Sequence, residues 1–148
     1  MQLENNGQER IAARPETVWA FVTDPNKVGQ CLPEVVSVDV KDATHFDPTV
    51  RVAVGPVRGN FKLKVTLQPD ETKRHIDIKV SGGGFGSSVD LTAGADVADG
   101  GDGSTVLNWK GVAEVRGPVA AVGGRVLDAQ ASRLISQTFA NVRDKLST

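Results

Sequence analysis

Between residues 35 and 116 apolar and polar residues alternate with a period of two. Val36, Val38 and Val40 stand among Ser37, Asp39 and Lys41, and Val50, Val52 and Val54 flank Arg51 and Ala53. Phe61, Leu63, Val65 and Leu67 are separated by Lys62, Lys64 and Thr66. The rhythm continues through Ile76, Ile78 and Val80, then Val89, Leu91, Ala93, Ala95 and Val97, then Leu107, Trp109, Gly111, Ala113 and Val115. Side chains alternate across a strand, so each run predicts one apolar and one wet face. Six in succession predict an antiparallel meander covered on one side. Turn residues interrupt the rhythm at Asp42-Ala43-Thr44, Gly55-Pro56, Pro69-Asp70-Glu71, Gly82-Gly83-Gly84 and residues 99–103.

Ahead of the meander, residues 2–12 alternate loosely and read as an edge strand. Pro15 opens a short helix with Val18, Trp19, Phe21 and Val22 on one face. Asp24-Pro25 ends it and caps a second, in which Val28, Cys31 and Leu32 point inward and which Pro33 stops. Behind the meander, Val119, Val122, Val126, Leu127, Leu134, Ile135, Phe139, Val142 and Leu146 recur at helical spacing. Gly117 is placed as a cap and Pro118 as a first position, which predicts one helix over 117–146, about 40 Å long. No linker or repeat divides the chain, so residues 1–148 read as a single domain. The expected fold class is α+β: a seven-stranded antiparallel curved sheet wrapped around a long C-terminal helix. Two short helices after the first strand close one end.

Composition changes this picture little. Apolar (39%) and charged (24%) fractions are those of an ordinary globular protein, and a net charge of −1 supplies no field to draw in nucleic acid. No apolar run is long enough to span a bilayer, and the N-terminal residues lack the pattern of a secretory signal. One cysteine fits a reducing compartment. The expectation is a cytoplasmic protein with no nucleic-acid partner and no stable membrane span.

Catalysis by general acid or base needs a titratable group facing a dry pocket. By the alternation, His45, His75, Asp77, Asp90, Asp96, Lys62, Lys64, Lys79 and Lys110 all fall on the wet face. The inner face has no expected carboxylate, histidine or lysine, and the chain has no tyrosine. Cys31, on a short apolar helix without a nearby histidine, reads as a buried small hydrophobe. His45 and His75 lack metal-ligand spacing, and Asp96, Asp99 and Asp102 read as a hairpin turn rather than a calcium loop. Gly82-Gly83-Gly84-Phe85-Gly86 lacks the lysine and following helix of a phosphate loop and reads as a bend. Lys62, Lys64, Lys79 and Lys110 read as a solvated face, given the acids Asp77, Asp90 and Glu114 on the same side. No catalytic residue, metal or cofactor is expected.

The positive signal is space. Gly111 follows Trp109 on the inner face, and Gly123 and Gly124 interrupt the long helix at a cost of about 0.5–1 kcal/mol each. The walls of a sheet–helix cavity would be Phe61, Leu63, Ile78, Phe85, Leu91, Trp109, Val122 and Val126, with Gly111 and Gly123 leaving room. Tight packing with no void fits the same residues.

Pro15-Glu16-Thr17-Val18-Trp19, Asp24-Pro25, Cys31-Leu32-Pro33, Val54-Gly55-Pro56-Val57-Arg58-Gly59-Asn60-Phe61 and the Gly117-Pro118-Val119 to Gly123-Gly124-Arg125 stretch together resemble the carbon monoxide dehydrogenase G-subunit family. That family lies within the START-like (SRPBCC, helix-grip) superfamily. The resemblance implies a hydrophobic cavity between sheet and helix, and work beside molybdenum hydroxylases in maturation, membrane recruitment or quinone handling. Glu34 stands where the family usually has glycine. The sequence also ends at Thr148, where some longer members continue into a membrane segment, so anchoring is not carried over.

The resulting expectation is non-catalytic binding of a quinone or lipid-like molecule. The protein would act as carrier or accessory to a molybdenum hydroxylase, in the cytoplasm or peripheral to the inner membrane face. The alternatives are a polyketide cyclase-like or hydrolase enzyme on the same fold, and a protein-interaction or maturation factor.

Overall fold

The computed structural model describes residues 1–146. Strand β1 (Gln2–Ile11) is followed by helices α1 (Pro15–Val22) and α2 (Pro25–Gln30). Six strands come next: β2 (Val35–Asp42), β3 (His45–Val54), β4 (Val57–Asp70), β5 (His75–Gly84), β6 (Ser87–Asp99) and β7 (Thr105–Arg116). A 3-10 turn (Pro118–Val122) leads into helix α3 (Gly124–Leu146). The sheet is antiparallel throughout in the order β1-β7-β6-β5-β4-β3-β2. The helical crossover α1–α2 carries the chain from β1 to the far edge, and the meander then returns strand by strand until β7 pairs with β1.

Local chemistry explains the elements. Pro15 and Pro25 each occupy a first helical turn, where a missing N–H is no loss. The Asp24 carboxylate accepts from the amides of Asn26 and Lys27, a true side-chain cap at the start of α2. The β5–β6 hairpin closes in two residues, Phe85 (φ 55°) and Gly86 (φ 78°), both with the positive φ of a type I′ turn.

Apolar residues gather in two separate cores. The first packs α1 and α2 onto one end of the sheet: Ile11, Val18, Trp19, Phe21, Cys31, Phe46, Leu67, Ile76 and Leu107, with Val142 of α3. The second lies at the opposite end and comprises Leu3, Val54, Val57, Phe61, Val115, Val119 and Leu127. At roughly 1.5–3 kcal/mol for each large side chain buried, each core anchors its own end of the sheet.

Three expectations are corrected here. The long helix begins at Gly124, not Gly117: Gly123, at φ 99°, separates it from the 3-10 turn, so Gly123 precedes the helix, Gly124 opens it, and neither carries a mid-helix penalty. Its 23 residues span about 34 Å. Val36 is 57% exposed, because a register shift between Val35 and Ser37 takes it off the inner face. Gly82, Gly83 and Gly84 are strand residues paired with β4 and β6, and the bend falls at Phe85-Gly86 instead.

Candidate functional site

Between the two cores lies an inner surface that neither claims. On the sheet, Leu91, Ala93 and Trp109 belong to neither core and stay partly exposed. Above them, Ala131, Leu134 and Ile135 of α3 lie on the helical stripe that runs from Leu127 to Val142. They too remain partly exposed and outside both cores. A helix lying tightly on a sheet would bury these positions. Only Leu127 and Val142, one toward each end, are buried in α3.

The helix is held firmly at its C-terminal end. Asn141 Nδ2 donates to the Cys31 carbonyl (3.0 Å), and Arg143 donates to the Arg10 carbonyl and to Glu9 Oε1 (both 3.2 Å). Phe139 meets Trp109 with ring centroids 5.8 Å apart. At the N-terminal end the joint is Gly123, where an added Cβ would meet nothing within 4 Å. The helix is thus tied by side-chain hydrogen bonds at its C-terminal end and packed through Leu127 at the other.

The expected wall residues divide into three groups. Leu63, Ile78, Leu91, Trp109 and Gly111 lie on the inner face at mid-sheet, all partly exposed. A Cβ on Gly111 would rest 3.4 Å from Ala93 Cβ and 3.5 Å from Leu91 Cδ1, so these three positions form one small-residue floor. Phe61 is buried in the second core, and Val122 packs against that core and covers Gly55. Phe85 and Val126 stand apart from the other expected walls, 61% and 47% exposed. The Phe85 ring covers Gly59, where an added Cβ would overlap it. Gly123 links the 3-10 turn to α3, three residues before Val126.

Both histidines face outward, as the alternation implies. His75 bridges Asp96 (2.7 Å) and Asp77 (2.9 Å), and these hydrogen bonds, Asp77 first, raise its pKa above the ordinary imidazole value. His45 pairs with Asp42 at 2.8 Å. Burial pushes the Cys31 thiol up, with Lys145 opposing weakly, so it remains protonated. Among the described residues no His, Cys, Asp and Glu cluster could hold a metal. None of their helices is long and apolar enough to cross a membrane.

The loose alternation of β1 hid one inward acid. Glu9 pairs in register with buried Leu107, and residues directly opposite share a face. Its carboxylate is engaged by Arg143, so the inner face is free of ionisable groups at mid-sheet but not along its β1 edge. The Trp109 ring lies against Gly7, and its Nε1–H is buried without a partner. Two grooves open on the outer face instead: about 680 Å³ beside Lys41, His45, Lys64, Lys79 and Asp90, and about 290 Å³ beside Arg51 and Arg58.

A curved antiparallel sheet gripping a long C-terminal helix, with two short helices at one end, is the START-like architecture. A START superfamily protein from Mycobacterium smegmatis superposes with a TM-score of 0.72 at 17% identity over 97% of each chain. The Zhui aromatase/cyclase from Streptomyces sp. R1128 does so at 0.74 and 12%, over 99% of this chain and 94% of its own. A conserved protein from Geobacillus kaustophilus reaches 0.89 at 25% identity, over 98% and 95%. No curated protein matches the sequence. Residues 7–147 match CoxG, the carbon monoxide dehydrogenase G-subunit family, and the chain belongs to that family.

Proposed function

We propose that this protein carries an apolar small molecule, quinone-like or lipid-like, between its sheet and α3. It would serve as an accessory to a molybdenum hydroxylase of the carbon monoxide dehydrogenase type, without catalysing a reaction itself. The observation that carries this reading is the strip of apolar surface claimed by neither core: Leu91, Ala93 and Trp109 below, Ala131, Leu134 and Ile135 above. Covering such surface yields about 25 cal/mol per Å², and an apolar ligand can supply the cover. The unpartnered Trp109 N–H adds a donor that a ligand carbonyl could satisfy.

The enzyme alternative has one observation in its favour, the inward Glu9. A general acid or base must be able to exchange its proton with substrate, whereas Glu9 is tied to Arg143 at 3.2 Å. That pairing supports a structural role.

The test is thermal. Purified protein is melted with a panel of quinones and long-chain fatty acids, in parallel with Gly111→Leu, whose side chain would fill the floor beside Ala93 and Leu91. A rise in melting temperature with at least one apolar ligand, absent in the variant, is expected. No rise with any member of the panel would remove the carrier reading.

A further inference from the structure

The outer face of the sheet carries a predominantly positive block. Arg51 of β3, Arg58, Lys62 and Lys64 of β4 and Lys79 of β5 are all exposed. The register sets them side by side: Arg51 opposite Asn60, Arg58 opposite Ala53, Lys62 opposite Thr49, Lys64 opposite Ser81 and Lys79 opposite Thr66. Neighbours in this block are two residues apart on one strand or diagonal across two, about 7–8 Å. None forms an ion pair among the described residues.

Most acids of the same face are held by other cations, although Asp47, on the outer side of β3, forms no ion pair among the described residues and lines the larger groove with Lys64 and Lys79. Asp77 and Asp96 hold His75, Asp90 and Glu114 hold Arg116, Asp39 holds Lys41, and Asp42 holds His45. A chain of net charge −1 thus gathers five unpaired cations on three adjacent strands, where their mutual repulsion opposes folding. Like charges that outnumber the acids among them suit a complementary surface.

We infer that the outer face of β3–β5 is a docking surface for an acidic patch on a partner protein. The partner is the molybdenum hydroxylase of the proposed function, and the inference rests on that reading. A protein fits better than an anionic bilayer for two reasons. Both grooves on this face are concave, and a bilayer has no protrusion to fill them. The larger groove is also lined by Asp42, Asp47 and Asp90, which no anionic bilayer would match and which could accept hydrogen bonds from a lysine or arginine at the margin of the partner's acidic patch. Thr66, Ser81 and Thr92 in the same groove offer hydroxyls for directed hydrogen bonds.

The full chain is titrated onto the immobilised carbon monoxide dehydrogenase complex of its own cell, at about 50 and about 200 mM salt. It is compared with Lys62→Glu/Lys64→Glu/Lys79→Glu, with the matching triple Gln variant, and with Lys110→Glu as a control two strands away. The inference predicts at least about a tenfold loss of affinity and a flatter salt dependence for the triple Glu variant, a smaller loss for Gln, and none for Lys110→Glu. The quinone response should match wild type in all, and melting temperatures should not fall below it in the Gln variant, where cation repulsion is relieved. If wild type binds and the triple variants bind equally well, the docking face is wrong while the partner reading stands. If wild type does not bind the complex, both fail together. Loss of binding to phosphatidylglycerol vesicles alone, with the protein complex unaffected, would reassign the face to a membrane.

Discussion

Cys31 shows how one side chain is read through its surroundings. It is 1% exposed within the first core, and desolvation raises its thiol pKa, so the reactive thiolate is scarce. Labelling by a disulfide reagent at mildly alkaline pH should therefore run at the rate of unfolding and speed up sharply in denaturant. Rapid labelling of native protein would contradict this. His75 makes a second prediction. Its folded pKa lies above the unfolded value because Asp77 and Asp96 bond the charged ring. Its contribution is fully present below the unfolded pKa near 6.5 and is lost as pH rises through the folded value. His75→Gln should therefore flatten the gain in melting temperature on going from pH 8 to pH 6, and leave apolar ligand binding unchanged. The inward Glu9 was illegible in the sequence, since Asn5, Asn6 and Gly7 blur the alternation of β1. Only its register with Leu107 fixes its face.

At the scale of elements, α3 decides what the molecule can hold. The sequence periodicity located its apolar stripe and its end at Leu146, yet ran the helix seven residues too far toward the N-terminus, to 117 rather than Gly124. Val119 and Val122 kept helical spacing while belonging to a 3-10 turn, and spacing alone does not separate the two over five residues. The strands were legible because one face packs and the other is wet. Edge strand β2 was least so, since a bulge moves Val36 off the inner face. The pin at the C-terminal end of α3 is testable. Asn141→Ala leaves the Cys31 carbonyl without its 3.0 Å partner and should cost about 1 kcal/mol in denaturant unfolding. At the opposite end, Gly123 sits at φ 99°, so Gly123→Ala should destabilise the protein by about 1 kcal/mol or more, although the added methyl has open space. An unchanged midpoint would mean that the joint can relax out of that conformation.

As a whole, the molecule is two packed ends joined by a sparsely covered middle. The fold and the inner face at mid-sheet could be read from alternation, because Leu63, Ile78, Leu91, Trp109 and Gly111 take their side from strand parity alone. The fates of Phe85 and Val126 could not, since a hairpin tip and the first turn of a helix are placed by neighbours distant in sequence. The charge block on the outer face was half visible: the lysines could be counted, but which acids were already paired required the register. The most direct check of an apolar ligand between sheet and α3 is a calorimetric titration of a quinone into wild-type protein and Gly111→Leu. Saturable binding with a negative heat-capacity change is predicted for wild type, and its loss in a variant that melts normally. Equal binding by both proteins would place the ligand elsewhere and contradict the carrier reading.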